Sequence, residues 1–306
     1  MALAERQRSE RMKKRTKFIA VCAGAAGAAA VIKQIKKNAK KKTVEVTDKQ
    51  TVLITGASGG LGKELAKVFA RNGFDLVIAA RSEDKLQALK QELEESCNIK
   101  VTVFAADLSV RGGAEILYNE IKEQGIVIDQ LVNNAGVGKE SRVVDCDSET
   151  LQNIITLNVE SVTLLCSLFG ADMADRGKGK IMNISSLGAF IPDPWFNVYG
   201  PSKAFELFLT LAMQGEMDNT GVSMTVLCPG PMKTNWAANA GKADSKTACD
   251  PADIAVKGYE AMQMGELVCI PGKMYHFEKA ALRLLPYGAQ VKIIKIWQKI
   301  LINRNK

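Results

Sequence analysis

The chain is poor in the residues that build the commonest metal and acyl-transfer sites. Of its 306 residues only one, His276, is a histidine. A histidine-based metal centre or a Ser-His-Asp triad therefore has no parts in the body of the chain, and His276 reads as a surface or packed residue. Seven cysteines, at 22, 97, 146, 166, 228, 249 and 269, are scattered without a Cys-x-x-Cys pair. That spacing predicts neither a metal site nor a disulfide framework, but neutral thiols in a reducing compartment. Aromatic residues make up 6% of the chain, while 47% is hydrophobic, enough for a full globular core. The length suits one large α/β domain or two small ones.

Acidic residues are scarce at both ends. Residues 1–42 hold 13 Lys/Arg and 2 acids, and residues 273–306 hold 8 Lys/Arg and 1 acid. The body, 43–272, keeps 20 basic and 30 acidic residues, so the net charge of +8 comes from the ends alone. An acidic body speaks against a nucleic-acid-binding core, and basic ends beside apolar stretches point to an anionic membrane surface. The run Phe18 to Ile32 is uncharged for 15 residues. That is short of the ~20 a comfortable transmembrane helix needs. A short membrane anchor is the favoured reading. A cleaved signal peptide, with small residues near Ala25 to Ala30, and a weakly helical tail are the alternatives. Val21 before Cys22 fits a lipoprotein site poorly. At the other end Val291, Ile294, Trp297 and Leu301 fall at helical spacing, widened by Ile293, Ile296 and Ile300, with Lys292, Lys295 and Lys299 opposite. This reads as a basic amphipathic helix on a membrane surface, or equally as a helix docked on the body or on a second subunit. The chain divides into an extension, 1–47, a body, 48–272, and a basic tail, 273–306.

From Gln50 onward, short β-branched apolar runs (51–55, 75–80, 100–105, 128–133, 179–185, 222–228, 266–270) alternate with segments of helical period (61–72, 83–96, 111–124, 148–175, 198–218, 251–264). Strands apolar throughout, separated by helices, predict a doubly wound, mostly parallel sheet of about seven strands with helices on both faces, in a single domain.

The first strand runs into Thr55-Gly56-Ala57-Ser58-Gly59-Gly60-Leu61-Gly62, where a helix begins. Gly56 permits a sharp turn, and Gly60 and Gly62 allow backbone N–H groups at the helix start to approach a pyrophosphate. At the end of the second strand, Ala79-Ala80-Arg81 takes the place where a carboxylate would meet the ribose hydroxyls of NAD(H). An arginine there would pair with a 2′-phosphate, which favours NADP(H) over NAD(H); a solvated arginine at a helix start is the alternative. Asp107 is placed to meet the adenine or to make a structural turn.

Tyr199 and Lys203 are four residues apart at a predicted helix start, so both lie on one face. Pro201 between them falls in the first turn, where it is tolerated. A free phenol has a pKa of ~10, and a neighbouring ammonium lowers it, which suits the pair to exchanging a proton with an alcohol oxygen. Ser186, thirteen residues earlier and just past the fifth strand, can hold the same oxygen, with Ser185 its competitor. Asn133-Asn134-Ala135-Gly136 ends the fourth strand with small residues that permit close cofactor approach, and Pro229-Gly230-Pro231-Met232-Lys233-Thr234 follows the sixth.

Taken in order, Thr-Gly-x-x-x-Gly-x-Gly, Asn-Asn-Ala-Gly, Ser, Tyr-x-x-x-Lys and Pro-Gly resemble the single-domain branch of the short-chain dehydrogenase/reductase family over about 50–272. The extended, epimerase-like branch has a differently spaced glycine turn. The resemblance implies an oxidoreductase acting on CH-OH or C=O groups, with Tyr199 as proton donor or acceptor. Lys203 then tunes the phenol and holds the nicotinamide ribose, Ser186 orients the carbonyl, and Asn158 supports a water relay to the lysine. It assigns Gly56, Ser58, Gly60, Leu61 and Gly62 to the pyrophosphate, Arg81 to the NADP-selecting position, Asn134 and Ala135 to the adenosine and ribose, and Pro229, Gly230 and Thr234 to the nicotinamide end. The apolar residues 190–198, with Met232, Trp236 and the loop to Asp250, are expected to border a hydrophobic ketone or aldehyde, whether sterol-like, fatty-acyl or aromatic; core or interface roles are the alternative. A non-catalytic NADP-binding membrane scaffold and an epimerase or dehydratase remain rival functions. The terminal extensions are no part of the family pattern and leave open a homodimer or homotetramer and a cytoplasmic membrane face or soluble cytoplasm.

Overall fold

The computed structural model describes residues 49–196, 198–241, 248–272 and 285–304. All of them belong to one compact unit, Asp48–Lys306. The apolar run 18–32, Cys22 and His276 lie outside the described residues.

Seven parallel strands form a single sheet: β1 (Thr51–Thr55), β2 (Asp75–Ala80), β3 (Val101–Ala105), β4 (Gln130–Asn133), β5 (Gly179–Ile184), β6 (Val222–Leu227) and β7 (Val268–Cys269), in the order β3-β2-β1-β4-β5-β6-β7. Alternate residues serve opposite faces. Val52 and Ile54 of β1, with Leu76 and Ile78 of β2, join Leu65, Phe69, Leu86 and Ile254 in one core. Leu53, Val77 and Ala79 join Leu117, Ile121, Leu165 and Phe169 in the other. This two-sided burial makes the strands apolar throughout, and each fully buried Leu or Ile stabilises by about 1.5–3 kcal/mol.

Helices α1 (Gly60–Arg71), α2 (Glu83–Ser96), α3 (Gly113–Glu123), α4 (Ser148–Ile155), α5 (Ser161–Asp175), α6 (Tyr199–Glu216), α7 (Trp236–Asn239), α8 (Pro251–Met264) and α9 (Tyr287–Arg304) complete the fold. The periodic stretch 148–175 is not one uniform helix: residues Thr156–Glu160 form a π-turn between α4 and α5. The stretch is long and apolar enough to cross a membrane by composition, yet half of it is buried, and α5 packs on α3, β4, β5 and β6. It is a core element.

Winding reverses between β1 and β4, which are hydrogen-bonded neighbours. The crevice beyond their carboxyl ends is where ligands bind in such sheets. Thr55, Asn133, Ile184 and Leu227 end the four strands that open onto it.

Candidate active site

The glycine turn leaves β1 with Gly56 at φ 68° and Gly60 at φ 54°, both in the left-handed region. Gly62 is required for a different reason. A Cβ there would lie 2.4 Å from the Gly56 carbonyl oxygen and 2.4 Å from Asn134 Nδ2. Asn134 braces the turn, donating to the Thr55 and Gly56 carbonyls at 2.9 and 3.2 Å, while Thr55 Oγ1 accepts from the backbone N–H groups of Asn134 and Ala135. Leu61 is buried in the core, which anchors the start of α1. The first turn of α1 has neither an acidic residue nor a side-chain cap. Its positive end is thus left for an external anion, and Ser58 stands partly exposed beside it. Thr234 lies over the turn, 3.5 Å from where a Gly60 Cβ would be. These features fit a dinucleotide pyrophosphate.

Arg81, at the end of β2, is exposed and lines a cavity of about 250 Å³ with Ser109, Val137, Asn153 and Leu157. Asp107 accepts from the Ser109 N–H at 2.9 Å and its hydroxyl at 2.6 Å, the geometry of the structural turn. Burial of its carboxyl is outweighed by these bonds and by Arg81, which together hold it below the usual carboxylate range.

Asn158 sits in the π-turn and is fully buried. Its side chain turns inward, to the chain after β4 and to α6. Its Oδ1 accepts from Val137 N–H at 3.0 Å, and its Nδ2 donates to the Val137 carbonyl at 2.8 Å and to Ser202 Oγ at 2.9 Å. Ser202 in turn donates to the Tyr199 carbonyl at 2.7 Å. Asn158 therefore locks the strand end after β4 to the first turn of α6.

The two serines after β5 separate cleanly. Ser185 is buried and spends its hydroxyl on the Lys203 carbonyl at 2.7 Å. Ser186, with extended backbone, turns its hydroxyl to the Gly188 N–H at 3.1 Å and to the Tyr199 phenol. Lys203 Nζ is 5.8 Å from the centre of the Tyr199 ring. Gly136 opposes it, since a Cβ there would approach Nζ to 3.1 Å. Ser186, Tyr199, Lys203 and Asn158 thus converge at the ends of β4 and β5.

One expectation is reversed. The ammonium does not pull the phenol down: burial pushes Tyr199 up, opposed by the Ser186 hydrogen bond and reinforced by the carboxylates of Glu206 and Asp193. Lys203 is itself paired with Glu206, at 2.7 Å. Glu206 went unnoticed in the sequence, although its position three residues after Lys203 puts it on the same helical face.

An aromatic cluster closes the site. Tyr199 packs against Phe196 with ring centres 4.9 Å apart and against Trp236 at 4.8 Å. Trp236 is fixed by its indole N–H, which donates to the Gly136 carbonyl at 3.2 Å. Trp195 adopts φ 67°, a conformation rare for a bulky residue, with its carbonyl accepting from Ser141 N–H at 2.8 Å. Other residues expected at the substrate cleft lie elsewhere. Phe190 packs on a core of Leu207, Val226 and Ile270, and Met232 on the α1 side of the sheet. Pro229 accepts from Leu187 N–H at 3.0 Å, tying the strap after β6 to the Ser186 turn, and Gly230 follows it partly buried.

The short chain dehydrogenase model matches residues 50–245. A protein named Probable oxidoreductase EphD from Mycobacterium bovis is 32% identical over 191 residues, 62% of this chain; the chain spans about a third (32%) of that relative's length. The very-long-chain 3-oxoacyl-CoA reductase of Mus musculus is 28% identical over 260 residues, 82% of this chain and 80% of its own. A short-chain dehydrogenase from Sphingobium yanoikuyae in complex with NADPH has a TM-score of 0.72 at 30% identity, covering 80% of this chain and 95% of that one. With these similarities and the hydroxyl, phenol and ammonium gathered at the switch point of the sheet, the chain belongs to the short-chain dehydrogenase family.

Proposed function

We propose that the protein is an NADP(H)-dependent oxidoreductase that reduces an apolar ketone or aldehyde. The observation that carries this reading is the convergence of Ser186, Tyr199 and Lys203 beside a glycine turn whose helix start is free of acidic residues. Once bound, the nicotinamide would supply or accept the hydride. The protein's own part is acid-base chemistry and orientation. Tyr199, its phenol kept neutral by burial, donates its proton to the substrate oxygen, while Ser186 Oγ donates a hydrogen bond to the same atom. Lys203 and Asn158 hold the floor of the site, and Trp236 and Phe196 pack against the phenol ring.

Arg81 supports NADP(H), because its guanidinium stands exposed beside the cavity with no carboxylate among the cavity's lining residues to take a ribose hydroxyl. A neighbour bound to NADPH agrees with that preference. The aromatic wall of Phe196, Tyr199 and Trp236, and a relative named for a very-long-chain 3-oxoacyl-CoA substrate, support an apolar, fatty-acyl or sterol-like carbonyl. A non-catalytic scaffold would have no use for a hydroxyl hydrogen-bonded to a partly buried phenol.

The test is NADPH oxidation over a carbonyl panel, repeated with NADH and with Tyr199→Phe. The variant is expected to bind NADPH normally and to lose turnover by about 10²–10⁴-fold. Undiminished turnover overturns the assignment, and product formation without net NADPH consumption would indicate an epimerase or dehydratase.

The C-terminal helix supports a peripheral membrane location. Ile294, Gln290 and Gln298 of α9 are buried, and Gln298 donates to Asp193. The remaining surface exposes Ile293, Ile296 and Trp297 as well as Lys292, Lys295 and Lys299. A helix docked on one side and both basic and apolar on the other is suited to an anionic lipid surface.

A further inference from the structure

Lys203 is not the lone cation that a Tyr-x-x-x-Lys motif suggests. Its Nζ donates to both carboxylate oxygens of Glu206, at 2.7 and 3.0 Å, and to the Ile184 carbonyl at 2.8 Å. The side chains of Lys203 and Glu206 are 5% and 2% exposed. Removing a carboxylate from water is costly unless a partner compensates, so its presence under the reacting pair is a strong constraint on the helix. On α6 itself Glu206 meets Lys203 and acts on Tyr199, and Thr210 Oγ1 donates to the Glu206 carbonyl at 2.6 Å. From α5 the neutral thiol of Cys166, pushed up to about 12 by burial, feels the same carboxylate. From β5 Asn183 Nδ2 reaches Thr210 Oγ1 at 2.9 Å, and from β4 Asn133 donates to Asn183 Oδ1 at 2.9 Å. Asp193, in the segment before α6, adds a second negative charge at Tyr199. Among the described residues, Lys203 is the one cation that acts on Glu206.

We propose that Glu206 is a positioning residue of the Tyr199–Lys203 pair: its carboxylate holds the ammonium turned towards Ile184 and cancels part of the charge that would act on the phenol, thereby tuning Tyr199 as an acid. The proposal rests on the catalytic reading of Tyr199 given above. Burial is the main cause that pushes the phenol up, and the Glu206 carboxylate adds to it although an ammonium lies in the same helical turn. It also makes the pair responsive near neutrality. Burial pushes the Glu206 carboxyl up to about 7, with Lys203 restraining it from rising further. As pH falls through that value Glu206 takes a proton, the ammonium is no longer cancelled, and the phenol becomes the stronger acid. The linked effect on folding has a definite sign. Because the folded carboxyl lies above its unfolded value, its contribution to stability is complete below the usual carboxylate range and is lost as pH rises through about 7.

Glu206→Gln keeps the size and an acceptor for Lys203 while removing the charge. The ionisation of Tyr199 is read in the cofactor-free protein by ultraviolet difference titration against Tyr199→Phe, and again as the pH profile of kcat with NADPH. The phenol of the glutamine variant is expected to ionise at lower pH, by about tenfold in acid strength. A folded variant with an unmoved titration overturns the proposal, since a merely space-filling glutamate would leave it unchanged. Should the glutamine variant fail to fold, Glu206→Asp draws the carboxylate one methylene away from Nζ and must move the ionisation in the same direction by less; no movement overturns the proposal. If Tyr199→Phe retains turnover, the catalytic reading fails, and the cofactor-free titration still judges Glu206.

Discussion

The two halves of the crevice are built by different means. Around β1 the working surface is main chain: two left-handed glycines, a third whose Cβ has no room, and a helix start without an acidic residue. Around β5 and α6 it is side chain: two serines, a phenol, an ammonium, a carboxylate and a buried amide, linked by hydrogen bonds. On the proposed function, the first half would meet a part of a dinucleotide that every reaction shares, so a rigid backbone cradle suffices. The second half would then have to move a proton, which requires groups whose charge changes. The close approach at Gly62 tolerates no added atom, and a side-chain site tolerates no unpaired partner.

The sharpest break should come from Gly62→Ala. Its Cβ would fall 2.4 Å from the Gly56 carbonyl oxygen, and the chain must shift at a cost of about 3 kcal/mol, roughly 6–12 °C in Tm by thermal unfolding. Asn158→Ala attacks the side-chain half. It strips partners from Val137 and Ser202 in a fully buried place. A loss of about 2 kcal/mol in urea unfolding is expected, together with reduced turnover because α6 loses its tie to the chain after β4. Arg81→Ala crosses the comparison, being a side chain in the backbone half. It should weaken NADPH about tenfold in a fluorescence titration and leave NADH nearly unchanged; equal losses for both would remove Arg81 from 2′-phosphate recognition. The smallest effect belongs to Gly59→Ala, where the backbone is extended and no atom lies within 4 Å of the added Cβ. A change within about 0.5 kcal/mol is expected. A large effect there would mean that the cradle depends on more than the left-handed glycines and the close approach at Gly62.

The strand and helix pattern was legible because burial on both faces leaves an unmistakable mark on a parallel sheet, and all seven strands lie where apolar runs predicted them. The glycine turn was legible for a similar reason, since few residues other than glycine serve where φ is positive. Other features were hidden. Nothing in the alternation of 148–175 announced a π-turn, because one extra residue barely disturbs an apolar face, yet Asn158 sits in that turn. The choice between Ser185 and Ser186 depended on strand phase at the end of β5, which moves with a single residue. Asp107 offered two roles, and its hydrogen bonds to Ser109 supply the turn.

The sequence by itself determined the sheet, its winding, the glycine cradle and the spacing that brings Tyr199 and Lys203 onto one face, because these follow from local conformation and periodic burial. Only the tertiary structure decided the electrostatics. How much of an ammonium's charge reaches a phenol depends on what else is buried within hydrogen-bonding distance, and Glu206 lies 2.7 Å from Lys203 Nζ. Residue spacing records who can meet; the surrounding protein, by excluding water, decides how strongly they act on one another.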